Sequence, residues 1–230
     1  MQGIDRPGFI KGCNGLLMRD SLLGDIDIGH DESWSTHTLG TTRVQFPWGT
    51  SAMSTGETTD EAATDVVESI REYFRPDRSK MTMMAARKFG VPERAVVEAL
   101  VGQWPIVPLN ASGFRDLMEA LPELGLMRVF VRSKAAVMES VGTFGGFSES
   151  GPFFNVQTDT LDMHIFHEQI SAIYAVEKVG HDSSFTTHSF QFFDRDGDAA
   201  FKAFLWEGFP DVPADKIGRF HELTKRFAKE

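Results

Sequence analysis

From Ala62 onward, apolar residues recur at helical spacing. Val67, Ile70 and Phe74 share one face, with Glu68, Arg71 and Glu72 off it. Pro76 removes an amide hydrogen and stops that helix. A second helix is predicted over 80–89. Gly90 then turns the chain, and Pro92 opens a third helix through Leu100, with Val96, Val97 and Leu100 on its apolar face. Trp104-Pro105 and Pro108 close the helical section. A short helix is predicted over 114–120, between Gly113 and Pro122.

Beyond Gly125 the period shortens to two. Strands are predicted over 127–132 and 136–141, as a hairpin around Ser133-Lys134, then over 153–156, 161–166, 170–176, 187–193 and 199–205. The Gly- and Ser-rich segment 142–151 reads as a flexible connection, placed to cover a ligand cleft. Ile217, Phe220, Leu223 and Phe227 form the stripe of a final helix after Pro213. Helices, then hairpin-linked strands, then a closing helix predict an α+β fold. Its broad antiparallel β-sheet is flanked by N-terminal helices and a C-terminal helix.

Residues 1–62 lack a sustained period and read as a loosely ordered extension; 63–230 form the domain. Met53 followed by a polar lead-in suggests a native start there, which would make 1–52 a mis-assigned upstream extension.

Charge and composition narrow the function. The net charge of −10 disfavours free nucleic acid as partner. A single cysteine, Cys13, excludes an internal disulfide and fits a reducing compartment. No apolar run reaches the roughly 20 residues of a membrane span, and Lys11, Arg19 and Asp20 interrupt any signal-peptide core. A cytoplasmic location without stable membrane insertion is expected. The 20 Phe residues predict packed sheet faces or an aromatic-walled cavity, with core packing the plainer reading.

Among candidate sites, alternation in 161–166 puts Leu161, Met163 and Ile165 on one face and Asp162, His164 and Phe166 on the other. A neutral imidazole beside an aromatic suits axial ligation of a porphyrin iron, although a surface histidine is the plainer reading. His167 lies three residues on, and no third zinc ligand is evident. His181 and His188 flank Asp182-Ser183-Ser184, without the elbow motif of a serine hydrolase. Asp194-Arg195-Asp196-Gly197-Asp198 departs from calcium-loop register and reads as a hairpin turn. Gly142-Thr143-Phe144-Gly145-Gly146 lacks the Lys of a phosphate loop. Residues 81–100 have helix-turn-helix spacing, but the second helix carries Glu93 and Glu98 against one Arg94, a poor match to DNA.

These features, in this order, resemble the ChuX/HutX family of intracellular haem-utilisation proteins. Four stretches of 66–227 carry the likeness. Val96-Val97-Glu98-Ala99-Leu100 is similar to an opening helix of the family. Gly151-Pro152-Phe153-Phe154-Asn155-Val156 is similar to its Gly-Tyr-Phe-Asn-Leu segment, and Met163-His164-Ile165 to its Gly-His-Ile. His188-Ser189-Phe190-Gln191-Phe192-Phe193-Asp194, then Gly197, then Phe201-Lys202-Ala203-Phe204 is the most specific match.

The resemblance implies a HemS/ChuX-like fold and a homodimer that binds haem b non-covalently as cargo. It implies storage, or transfer to a haem-degrading partner protein. His164 takes the position of a haem-contacting histidine and is the expected axial ligand. A second family histidine aligns with Arg132, which cannot ligate iron but can pair with a propionate. Phe153 replaces the tyrosine of the family segment, removing a phenolate, and leaves Tyr174 or water to stand opposite His164. Related duplicated proteins degrade haem. This chain has no internal repeat, which favours a non-enzymatic carrier over a haem-degrading enzyme, with a DNA-binding regulator as the further alternative.

Overall fold

The computed structural model describes residues 58–180, 185–208 and 212–230, and helices precede strands in it as the periodicity predicts. The expectations for 1–52, for the start at Met53 and for the turn at His181-Asp182-Ser183-Ser184 lie outside the described residues. Helix α1 (Thr58–Phe74) begins earlier than the apolar stripe does. It is followed by α2 (Thr82–Phe89) and α3 (Glu93–Leu100). Gly90 ends α2 in the left-handed conformation that favours glycine, and its amide caps the last turn. Helix α4 (Phe114–Ala120) and α5 (Ala214–Phe227) match their expected positions.

The strands are β1 (Ile106–Leu109), β2 (Leu126–Arg132), β3 (Val137–Thr143), β4 (Ser148–Ser150), β5 (Phe153–Gln157), β6 (Asp162–Phe166), β7 (Ala172–Val179), β8 (Thr186–Phe193) and β9 (Ala199–Leu205). They form two sheets. The main one has the order β1-β7-β8-β9-β2-β3, and the small one β4-β5-β6, with every neighbouring pair antiparallel. β1 was hidden behind its prolines. It is an edge strand, where Pro108 opposite Tyr174 is tolerated.

Both faces of the main sheet are covered. In β7, Ile173 and Ala175 face one core while Tyr174 and Val176 face the other. The first core packs Phe190, Phe192, Phe201 and Ala203 against α4, α5 and the small sheet's Phe154, Val156 and Ile165. The second packs Tyr174, Val176 and Phe193 under Ile70, Phe74, Val96, Val97 and Leu100 of α1 and α3. The phenylalanines thus build packed cores; Phe192 and Phe201 stack at 4.1 Å.

The Gly-rich stretch after β3 is not a flexible cover. Phe144 is buried in the first core, Phe147 packs on Phe154 at 5.4 Å, and 148–150 pair as β4. Gly146 (φ +57°) lies so close to β5 that a Cβ would stand 1.9 Å from the Gln157 carbonyl oxygen.

α3 and α2 pack as a helix-turn-helix, but every residue of α3 is buried or half-buried. No face is left for a DNA groove, which corrects the regulator reading. The 194–198 segment is the expected turn: the Asp194 carboxylate accepts from the amides of Asp196 and Asp198.

Glu93, 2% exposed, sits between α2, α3 and the main sheet. Its carboxylate takes Lys202 Nζ at 2.7 Å, the Arg132 guanidinium, and the Thr82 hydroxyl at 2.5 Å. Burial opposes its ionisation, yet Lys202 and Arg132 hold its pKa down to about 2.

Three outcomes follow. Glu93→Ala leaves two half-covered cations unpaired and should cost about 3–5 kcal/mol in urea unfolding. Because the folded carboxyl titrates near 2 and an unfolded one near 4.5, its contribution is complete above about pH 4.5 and lost as pH falls toward 2. Over that window the wild-type protein should lose about 3 kcal/mol more than Glu93→Gln. Gly146→Ala combines a strained φ with a backbone clash and should lower stability by at least about 2 kcal/mol, read from the thermal midpoint.

Candidate functional site

The small sheet has one buried and one open face. Phe154, Val156 and Ile165 turn inward, so Phe153, Asn155, His164 and Phe166 turn outward. Register joins them: Phe153 pairs with Phe166, and Asn155 with His164. The turn between β5 and β6 is fixed by Thr158, whose amide donates to the Leu161 carbonyl at 2.8 Å and whose hydroxyl accepts from the Leu161 amide at 3.0 Å.

Asn155 is buried although it lies on the open face. Its Nδ2 donates to Ser148 Oγ at 3.1 Å, which aims Oδ1 at His164 Nδ1, 2.7 Å away. Nδ1 must then donate, and in the neutral ring Nε2 carries the lone pair. A histidine held through one nitrogen by an amide oxygen presents the other as a metal ligand. The His164 side chain is 56% exposed, and Asp162 Oδ1 lies 3.7 Å from Nε2. Phe153 and Phe166 meet at 4.5 Å between ring centroids, and Phe153 lies edge-on to His164 at 6.0 Å. Phe166 is 54% exposed. The result is an open aromatic shelf with an oriented imidazole, in place of the expected walled cavity.

The four expected site residues separate into two pairs. His164 and Phe153 come together on the shelf. Tyr174 and Arg132 lie on the other side of the main sheet, against α3. Tyr174 is buried in the second core and donates its hydroxyl to Glu98 at 2.5 Å. Burial and the Glu98 carboxylate both raise its pKa well above the usual phenol range, so it is no phenolate. Within one chain it cannot face His164 across a porphyrin. Arg132 is committed to Glu93, because a buried carboxylate needs a counter-charge. His167 turns back toward Phe114, stacking at 6.3 Å, and joins no convergent group of three metal-competent side chains among the described residues.

Two clefts bear on the site. One of about 430 Å³ surrounds Arg94, Glu98, Tyr174 and Lys229, remote from the shelf. Another, of about 300 Å³, separates β2 and β3 from β6 and is lined by Val129, Val131, Met138, Leu161, Asp162 and Met163. It borders the strand that carries His164. Sequence reasoning missed the roles of Asn155 and Phe166. Alternation alone places each on the side of Phe153 or His164, but joining the two strands requires the register.

The family model for haem utilisation ChuX/HutX matches residues 107–223. A search of curated proteins finds no significant sequence match. Among solved structures, the heme binding protein ChuX superimposes with a TM-score of 0.61 at 19% identity, over 68% of this chain and 97% of that one. A protein from Agrobacterium tumefaciens gives 0.66 at 21%, over 76% and 99%. The heme degrading enzyme ChuS of Escherichia coli O157:H7 gives 0.60 at 21%, over 73% of this chain and 47% of that enzyme. These likenesses fix the HemS/ChuX-like fold, and since the family model spans just over half of the sequence, the chain belongs to the haem utilisation ChuX/HutX family.

Proposed function

We propose that this protein binds haem b as cargo on the open face of the small sheet, in the cytoplasm, and passes it to a haem-degrading partner. The observation that carries the reading is the Ser148–Asn155–His164 relay, which orients the ring through Nδ1 and turns Nε2 to the open face that carries Phe153 and Phe166, with Asp162 Oδ1 3.7 Å away. The iron takes His164 as axial ligand, and the porphyrin rests on the two rings. Tyr174 has no part in this site. Arg132 supports it only through the fold, as the partner of Glu93.

The carrier reading follows the likeness to the heme binding protein ChuX, 97% of which this chain covers; the chain spans about half of the heme degrading enzyme. A homodimer is part of the proposal. Edge strand β3 exposes Val137 (55%), Met138 (62%) and Val141 (38%), an apolar edge that a second copy would cover.

Haem titrated into the purified protein should give one Soret band per chain, stable to ascorbate in air. Conversion to a biliverdin-like pigment would establish the enzyme instead. His164→Ala should weaken haem binding at least 10-fold and shift the band; unchanged affinity and spectrum would remove the shelf from the site. Asn155→Ala frees the ring and should cost about 10–100-fold in affinity, measured by transfer to apomyoglobin.

A further inference from the structure

A second group of metal-competent side chains lies apart from the shelf. Glu177 of β7 and His188 of β8 are paired residues on adjacent strands, on the side of the sheet that α5 covers. His221 of α5 completes the group. Glu177 Oε2 stands 3.2 Å from His188 Nε2, and Glu177 Oε1 stands 3.0 Å from His221 Nε2. One ligand atom from each of the three falls within 4.8 Å of the other two. Among the described residues no other group of three such side chains converges.

We infer that Glu177, His188 and His221 form a binding site for a divalent transition ion of the zinc class, which pins α5 to strands β7 and β8. In tetrahedral zinc sites, metal–ligand bonds near 2.0–2.1 Å put neighbouring donors about 3.3 Å apart. Each imidazole stands near that spacing from one oxygen of Glu177, Oε2 for His188 and Oε1 for His221. Two imidazoles and one carboxylate suit zinc, cobalt or nickel over magnesium or calcium, which prefer all-oxygen shells.

The geometry also fits an open site. His188 is 6% exposed, and its Nδ1 is shut from solvent without a hydrogen-bond partner, so the ring acts through Nε2 alone. His221 is half exposed and leaves a fourth position for water. Burial pushes the His188 pKa below the ordinary imidazole value, against the opposing pull of Glu177. One carboxylate with two neutral imidazoles carries a single negative charge, which favours a dication. Phe220 packs on His188 at 5.5 Å and gives the buried ring an apolar wall.

The test uses the full-length, haem-free protein stripped with a chelator and titrated with Co²⁺, then with Zn²⁺ in competition. One equivalent of Co²⁺ should produce the intense visible bands of tetrahedral cobalt, and zinc should abolish them. His221→Ala, at a half-exposed position, should lower affinity by more than the roughly 100-fold that losing an outer partner costs. Glu177→Gln should do likewise. Zinc should raise the thermal midpoint of the wild-type protein and leave that of His221→Ala unchanged. Absence of the bands, or equal uptake by wild type and His221→Ala, would overturn the site. The Soret spectrum of His221→Ala should match that of wild type, so failure here is separable from failure of the shelf.

Discussion

The organising constraint is that strands β7 and β8 are buried on both faces. Tyr174, Val176 and Phe193 must be covered on one side, and Ile173, Ala175, Phe190 and Phe192 on the other. A sheet sealed this way cannot carry an open binding surface of its own centre. The helices α1–α3 take one side. The short α4, α5 and the small sheet take the other, and the small sheet is the outermost layer. Its inner residues belong to the core and its outer residues do not. The location of His164 is thus a consequence of how the main sheet is covered.

Polar groups inside this frame hold elements in place. Glu93 brings together α3, Lys202 of β9 and Arg132 of β2. Lys216 of α5, almost wholly buried, donates to the carbonyls of Leu126 and Trp206 and pairs with Glu207. Each buried charge has a partner, as a low-dielectric interior demands. The Glu93 and Lys216 clusters lie at opposite faces of the main sheet, so the covering layers on both sides are tied to it by charge as well as by apolar packing.

Much of this was legible in the residues. The stripe Val67, Ile70, Phe74 and the alternation around His164 follow from period alone, and both hold in the structure. Strand β1 was not legible, because Pro105 and Pro108 read as terminators and only the edge position excuses them. Strand β4 was masked by its serines and flanking glycines; it exists because Phe144 and Phe147 are drawn into the core. Arg132 and Tyr174 carry polar groups that suit a ligand, and sequence does not say which way a strand faces. Burial then committed each to a carboxylate on α3. Asn155, Glu177 and His221 matter through register and helix docking, which no local pattern encodes.

An open shelf supports a flat guest from one side only. On the proposed reading, a porphyrin resting on Phe153 and Phe166 would keep its far face toward whatever approaches next, since no described residue covers the shelf. In the proposed carrier, a receiving protein would engage the iron before the donor imidazole lets go, and the pigment would not have to pass through bulk water. Exposure of the Phe166 ring, a liability in a storage vessel, would serve such a transfer.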